Sequence, residues 1–202
     1  MTAAKNGKQE VFALYHRLAH RETRPKRGFA GWLERRDIRM LVDLMQPAPG
    51  LSLLDVGCGL GVHARLFQRA GLRVCATDVV PRLVELVRPD VHEAMVADLE
   101  RLALGRTFDR VLCFGVLDFM RDAERCLANL ARHVTPGGRL VIEAPRRSIG
   151  GLVYRLSYPS RTLAPRLYRS SVLDAYAAKS GLTPDGRARP FPHSMLLAWR
   201  RQ

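Results

Sequence analysis

Apolar and polar positions along the chain follow two spacings, and the changes between them predict the elements. Short apolar runs of the kind found in buried parallel strands lie at 51–56, 73–78, 93–99, 108–115 and 139–145. Apolar side chains at helical spacing lie at 62–70, 81–87 and 122–134. Strands that alternate with helices in this way predict an α/β fold with a mostly parallel sheet.

The pattern changes at both flanks of this alternating region. Apolar residues recur at helical spacing near 11–18, and a second helix is predicted from about 29 to 45. After 145 the periodicity is lost until a last helix begins at Ser170 or Ser171. Two strands near 183–188 and 194–200 then predict an antiparallel hairpin at the edge of the sheet.

The chain is organised around residues 53–61, where a strand runs into Leu-Leu-Asp-Val-Gly-Cys-Gly-Leu-Gly and then into a helix. Without side chains, the turn lets a ligand approach the backbone and the amides at the helix start. Nicotinamide and flavin domains use a similar turn, but with the spacing Gly-x-Gly-x-x-Gly. Here the spacing is Gly-x-Gly-x-Gly, and Asp55 precedes it, which suits an amine-bearing ligand better than a pyrophosphate.

With this motif the sequence resembles the class I S-adenosylmethionine-dependent methyltransferases of the small-molecule type. The resemblance implies that Asp55 serves the methionine amino group, often indirectly, and that Gly57, Cys58, Gly59 and Gly61 make room for the cofactor. It also implies a doubly wound, mostly parallel seven-stranded sheet of order 3-2-1-4-5-7-6, with the last strand antiparallel and helices on both faces. The cofactor is then S-adenosyl-L-methionine and the product S-adenosyl-L-homocysteine.

Two further acids end the next two predicted strands. Asp78 lies about 20 residues beyond the glycines, the distance at which nucleotide-binding βαβ units place an acid on the ribose hydroxyls. The resemblance implies that Asp98 accepts from the adenine amino group and that the backbone of Leu99 reads a ring nitrogen; Asp98 as a simple turn residue is the alternative. Val79 and Phe114 complete the expected cofactor residues.

The segment after the fourth strand separates methyltransferases by substrate. It carries neither the Asn/Asp-Pro-Pro-Tyr of base-amine enzymes nor a proline–cysteine nucleophile. Asp118 is a candidate base, with a helix N-terminal acid as the alternative reading, so the catalytic residue is left unassigned. The lack of an evident base slightly favours oxygen acceptors that ionise easily, such as a phenol or a carboxylate.

The basic and aromatic stretch 146–169 occupies the position where the resembled family covers its substrate. We expect an acceptor pocket, with arginines pairing with an acidic group, shaped by Tyr15, Arg146, Tyr154, Arg155 and Tyr158. A solvated loop is the alternative for this stretch. Tyr15 and His16 could face the active site, with an ordinary surface or core role as the alternative, and His193 is expected to be exposed. One domain over 1–202 is thus divided into a helical cap (1–49), a cofactor-binding core (50–145), a substrate-covering insertion (146–170) and a C-terminal helix and hairpin (171–202).

The formal net charge of +14 leaves three interpretations open. It is consistent with solvated surface arginines, with an acidic or membrane-associated partner, or with nucleic acid. An RNA or protein methyltransferase is therefore the alternative function, and a nonenzymatic cofactor-binding protein is the rival from another class. The four cysteines lack the spacing of a zinc site, so no metal is expected. The sequence has neither an apolar run long enough to span a membrane nor a secretory signal, so a cytoplasmic protein is expected. Peripheral membrane contact stays open, and the oligomeric state is not predicted.

Overall fold

The computed structural model describes residues 28–158 and 164–202. Its strands are β1 (Ser52–Val56), β2 (Arg73–Asp78), β3 (Glu93–Val96), β4 (Phe108–Phe114), β5 (Val134–Pro145), β6 (Leu182–Ala188) and β7 (Ser194–Arg201). They form one sheet of order β3-β2-β1-β4-β5-β7-β6. β1 to β5 pair in parallel, and β7 is antiparallel to both β5 and β6. The expected strand order and the direction of the last strand are confirmed.

Helices cover both faces of this sheet. They are α1 (Gly28–Met45), α2 (Val62–Arg69), α3 (Pro81–Val87), α4 (Ala123–Arg132), α5 (Ile149–Leu156) and α6 (Ser170–Lys179). The helix predicted near 11–18 lies outside the described residues, as do Tyr15 and His16. Over the described ranges, we find no helix with the length and apolar character needed to cross a bilayer.

Two apolar clusters form because successive strand residues point to opposite faces of the sheet. On one face Leu53 and Val141 pack with the buried sides of α1, α2 and α3. On the other face Leu54 and Ile142 pack with α4 and α6, and Trp199 is fully buried there. A central sheet buried on both sides leaves its strand ends as the open edge for a ligand.

Two elements differ from the sequence-based expectations. β5 begins at Val134, which pairs with Phe108, and the next β5 residue paired with β4 is Arg139. The Thr-Pro-Gly-Gly sequence between them forms an irregularity within β5, with Gly137 at a positive φ. Residues 149–156, expected to lack regular structure, form helix α5. That expectation was wrong because the Ser148 side chain caps the helix, accepting from the Gly151 N–H at 3.1 Å, and tertiary contacts hold its glycines.

Candidate active site

A cavity of about 610 Å³ opens at the carboxyl ends of β1 to β5. Its walls are built by the ends of these strands, the glycine turn, the first turn of α2, the segment after β4, Tyr154 of α5 and the loop before β7. The volume is in the ordinary range for a small-molecule site. The cavity therefore has two halves: one lies at the glycine turn, and the other lies between the ends of β4 and β5 and helix α5.

The glycine turn is held on the end of β2. The N–H groups of Gly57 and Cys58 donate to the Thr77 carbonyl at 2.7 and 2.9 Å. The Asp78 carboxylate accepts from the Gly59 N–H at one oxygen and from the Val80 N–H at the other, both at 2.9 Å. Asp78 is thus both a cavity-lining acid and the clamp between the turn and the start of α3.

Gly59 and Gly61 have different roles although both have positive φ. A Cβ on Gly59 would have no heavy atom within 4 Å, because this position faces the open cavity, whereas a Cβ on Gly61 would lie 2.5 Å from Cγ2 of Val87. Gly57 likewise packs against the Val116 side chain. Gly57, Cys58 and Gly59 line the cavity, and Gly61 serves the packing of α2 on α3.

Asp55 lies beneath the turn and does not line the cavity. Its carboxylate accepts from the Ala64 N–H in the first turn of α2, while its Oδ2 is buried with no hydrogen-bond partner among the described residues. Burial, and secondly the charge of Asp78, raises the pKa of Asp55 to about 7. Any action of Asp55 on a ligand therefore passes through the turn above it.

The other expected cofactor residues line the glycine half of the cavity: Asp78, Val79, Asp98, Leu99 and Phe114. The Asp98 carboxylate also caps the short 3-10 turn Leu99–Arg101, accepting from the Glu100 N–H at 3.0 Å. Burial raises the pKa of Asp78, and the N–H donors of Val80 and Gly59 oppose that rise. The three strand-end acids lie at the same edge, two of them in the cavity wall.

His63 is a cavity residue that the sequence reasoning missed. It lies in the first turn of α2, and its ring contacts that of Phe114 with centroids 4.3 Å apart. Burial lowers its pKa to about 4, so the ring is neutral at physiological pH. Its position two residues after the last glycine is the signal that could have identified it, because the first turn of that helix faces the ligand.

The other half of the cavity contains two buried carboxyl groups. Asp118 lies in the 3-10 turn Leu117–Phe119 after β4, and Glu143 lies near the end of β5. Burial raises the pKa of Asp118 to about 7; burial and then the Asp118 charge raise the pKa of Glu143 to about 8. The Asp118 Oδ1 is buried without a hydrogen-bond partner in the described part of the chain.

Aromatic rings surround these carboxyl groups. Tyr154 of α5 stacks on His193 with centroids 4.3 Å apart, and its hydroxyl hydrogen-bonds the Tyr158 hydroxyl at 2.7 Å. Phe119 and Phe191 also line this half. His193, expected at the surface, is a wall residue because the loop before β7 folds over the end of β5, where its carbonyl accepts from the Arg146 N–H.

The arginines of the cavity differ from those expected. Arg121 and Arg166 line it, and the Arg166 guanidinium donates to the Arg121 carbonyl. Arg146 and Arg155 are not among the lining residues, and Arg155 is exposed on α5. Tyr154 lines the cavity as expected, whereas Tyr158 supports it through the hydroxyl of Tyr154.

A comparison with protein families matches the part of the chain that carries the glycine turn. Residues 54–142 match the family described as Methyltransferase domain. They make up 89 of the 202 residues, so the match shows that this part of the chain is similar to a methyltransferase domain. The match spans β1 to β5, which carry the glycine turn and the strand-end acids, so the recognition made from the motif is confirmed.

Curated relatives of this chain are named as methyltransferases with different acceptors. The ubiquinone biosynthesis O-methyltransferase of Xanthomonas oryzae is 34% identical over 107 residues, 49% of this chain and 45% of the relative. The malonyl-[acyl-carrier protein] O-methyltransferase of Serratia marcescens is 35% identical over 95 residues, 45% of this chain and 36% of the relative. The chain thus spans less than half the length of these curated relatives.

Solved structures share the fold of the methyltransferase domain along nearly the whole chain. Magnesium protoporphyrin IX methyltransferase from Synechocystis, with bound S-adenosylhomocysteine, has a TM-score of 0.71 at 17% identity and covers 95% of each chain. The 1,6-didemethyltoxoflavin-N1-methyltransferase of Burkholderia thailandensis has a TM-score of 0.72 at 19% identity over 96% of this chain and 86% of that one. At these identities the likeness establishes the fold.

Proposed function

We propose that this protein transfers the methyl group of S-adenosylmethionine to an oxygen atom of a small-molecule acceptor. The observation that supports this most directly is the continuous cavity that joins the glycine turn to a second half with two buried carboxyl groups. Curated relatives that are O-methyltransferases match about half of this chain. The glycine half would hold the cofactor and the β4–β5 half the acceptor.

The residues of the glycine half fit S-adenosylmethionine. Gly59 leaves open space in the wall, where any other residue would place a side chain. Asp78 ends β2, where a carboxylate can accept from two ribose hydroxyls, and Asp98 with Leu99 follows β3. The buried carboxyl groups of Asp55 and Asp78 make this half compatible with a cationic amine and sulfonium.

The bound cofactor would supply an electrophilic methyl group, so the chain has to position the acceptor and manage its proton. Tyr154, Phe119 and Phe191 would hold the body of the acceptor beside the two carboxyl groups. Burial excludes water from Asp118 and keeps its pKa near neutrality, as a general base requires. We therefore propose that Asp118 accepts the acceptor's hydroxyl proton, while Arg121 and Arg166 attract an anionic group at the cavity wall.

An amine acceptor is the second candidate. Two buried carboxyl groups favour a cationic group in the same half of the cavity, and the dTDP-4-amino-2,3,4,6-tetradeoxy-D-glucose N,N-dimethyltransferase of Saccharopolyspora spinosa is 36% identical over 112 residues, 50% of this chain and 45% of the relative. An RNA or protein acceptor bound by the basic surface remains the third prediction.

The test incubates the purified protein with methyl-labelled S-adenosylmethionine and separate panels of phenols, carboxylic acids, amines, tRNA and protein extract. We expect label in a small hydroxyl compound, with the methylated atom identified by NMR, and at least a ~100-fold lower rate for Asp118→Asn. The exposed acid Glu85 on α3 offers the control variant Glu85→Gln, which should keep the rate. Label in amines would support the second candidate, and label confined to RNA or protein would overturn the proposal.

A further inference from the structure

Helix α5 exposes an apolar face to solvent. Ile149, Leu152, Val153 and Leu156 are exposed by 87%, 51%, 63% and 73%. Their spacing of three, four and seven residues places all four on one side of the helix. Four neighbouring aliphatic side chains form an unusual surface patch, because helices normally turn such a stripe toward the core.

The fold prevents this face from turning inward. A Cβ on Gly150 would lie 2.8 Å from the Pro192 carbonyl oxygen, and one on Gly151 would overlap the Arg146 carbonyl, so the glycine side of α5 lies tightly against the protein. Tyr154 also points inward, where it stacks on His193 and lines the cavity. The outward direction of the aliphatic face is therefore set by contacts on the opposite side of the helix.

The segment around α5 is strongly basic. The thirty residues between Glu143 and Asp174 contain six arginines and no acidic residue. Among them Arg147, Arg155, Arg166 and Arg169 are exposed. Aliphatic side chains bordered by arginines are the composition of a helix that lies in the interface of a membrane with anionic headgroups.

We propose that the outer face of α5 docks on the surface of a bilayer that contains anionic phospholipid. The four aliphatic side chains would enter the boundary between headgroups and acyl chains, while the arginines would bind lipid phosphates. The helix is two turns long, so the contact is peripheral and reversible. This inference stands independently of the identity of the methyl acceptor.

Charge argues against two other occupants of this face. In a two-fold symmetric dimer the same arginine-rich patch would face itself, which is electrostatically unfavourable without acidic partners. The second occupant would be residues 1–27 of this chain. They contain seven lysines and arginines against two acids, so this segment is basic as well. An anionic surface provides the complementary charge that neither of these offers.

Docking would bring the proposed acceptor half of the cavity close to the lipid. Tyr154 lines the cavity from the same helix whose other side carries the aliphatic face. The cavity wall and the aliphatic face are therefore separated by about the diameter of one helix, roughly 10 Å. An amphiphilic acceptor dissolved in the bilayer would then have a short path to Asp118.

Vesicle flotation of the chain of residues 1–202 tests this inference. The vesicles are pure phosphatidylcholine, or phosphatidylcholine with 30% phosphatidylglycerol (about one anionic lipid in three, to give a negative surface potential), at low and at high salt. We expect binding to anionic vesicles at least ~10-fold tighter than to neutral ones, weakening with salt. The double variant Ile149→Ser/Leu156→Ser should bind at least ~10-fold more weakly than the unmodified protein.

A matched control replaces two aliphatic residues that are exposed elsewhere, in Leu86→Ser/Val96→Ser, and should bind like the unmodified protein. The variant Arg147→Gln/Arg155→Gln should lose about five-fold in affinity per arginine on anionic vesicles only. Equal binding by the unmodified protein and the α5 double variant would overturn the proposal. Absence of vesicle binding would also overturn the proposal. Sedimentation would then show whether the protein is a monomer or forms a dimer that the α5 double variant abolishes, and either result leaves the proposal overturned.

Discussion

At the scale of single residues, Asp78 combines a proposed role in cofactor binding with a structural role. Its two carboxylate oxygens accept from N–H groups on either side of the cavity wall, one in the glycine turn and one at the start of α3. The sequence predicted the ribose-facing position from spacing alone. That the same carboxylate also holds the turn in place follows only from the backbone's path in three dimensions.

Replacing Asp78 by Asn should weaken binding of S-adenosylhomocysteine by at least ~10-fold. The amide offers one acceptor oxygen where the carboxylate offers two, so the N–H of Gly59 or Val80 loses its partner, with a stability cost of about 1–2 kcal/mol. Calorimetric titration and urea unfolding measure the two effects. An affinity equal to that of the control variant Glu85→Gln would contradict the assignment of Asp78.

Asp118 should make stability depend on pH in a defined window. Its pKa is raised from 3.8 to about 7 in the folded state, so the stability that Asp118 contributes is fully present below pH ~4 and is lost as pH rises toward 7. Asp118→Asn removes this loss of stability, because an amide does not ionise. The unfolding free energy of the variant relative to the unmodified protein should therefore rise with pH, by roughly 2–4 kcal/mol in all between pH 4 and 7.

Urea unfolding at a series of pH values measures this difference. Asp55 and Glu143 also have raised pKa values, so the unmodified protein loses stability across the same range. The difference between the two proteins reports Asp118 together with the part of the Glu143 pKa shift that the Asp118 charge causes. A difference that stays constant from pH 4 to 8 would show that folding does not raise the pKa of Asp118.

At the scale of elements, the Arg139 side chain connects β5, α1 and β6. It lies buried in β5, donates to the Leu44 carbonyl near the end of α1 at 2.8 Å, and forms an ion pair with Asp185 of β6 at 2.5 Å. The carbonyls at a helix end lack partners within the helix, so this contact anchors α1 to the sheet. The edge hairpin is joined to β5 through the same guanidinium.

Arg139→Leu should destabilise the protein by about 3 kcal/mol, because it leaves the Leu44 carbonyl and the partly buried Asp185 without their main partner. Arg200 also contacts Asp185, at 3.4 Å, but its side chain is half exposed. The control Arg200→Leu should therefore cost no more than about 1 kcal/mol. Chemical denaturation of both variants tests this ranking, and equal losses would contradict it.

Helix α5 shows why one element was missed from the sequence. Its aliphatic residues have helical spacing, but two glycines and the neighbouring arginines and tyrosines obscured the pattern. The apolar stripe also faces outward, so no burial argument could locate the helix. β5 shows a different case: Thr-Pro-Gly-Gly has turn composition and is an irregularity in the ladder, yet β5 already begins before it, where Val134 pairs with Phe108.

At the scale of the whole molecule, the cavity lies where the sheet and its two helical layers meet, so a ligand there should stabilise the entire fold. At 100 times its dissociation constant, S-adenosylhomocysteine should add about 2.7 kcal/mol and raise the melting temperature by roughly 5–10 °C. Differential scanning calorimetry measures the shift. A shift produced by NADH, and none by S-adenosylhomocysteine, would favour a nicotinamide-binding domain.

The sequence by itself determined the order of the elements and the strand-end acids, because strand periodicity, glycine spacing and helix stops are local properties of the chain. By the same pattern Glu143, an acid near the end of an apolar strand, was open to prediction. The parallel sheet then aligns the strand ends at one edge, which accounts for Asp78 and Asp98 in the cavity wall.

Only the tertiary structure decided which residues complete the proposed acceptor half of the cavity. Arg121, Arg166 and His193 come from loops far apart in sequence, and the path of each loop depends on contacts with other elements. The burial that raises the pKa of Asp118 likewise results from packing of the whole domain around it. Side-chain type follows from the sequence, whereas side-chain environment depends on what the fold places next to it.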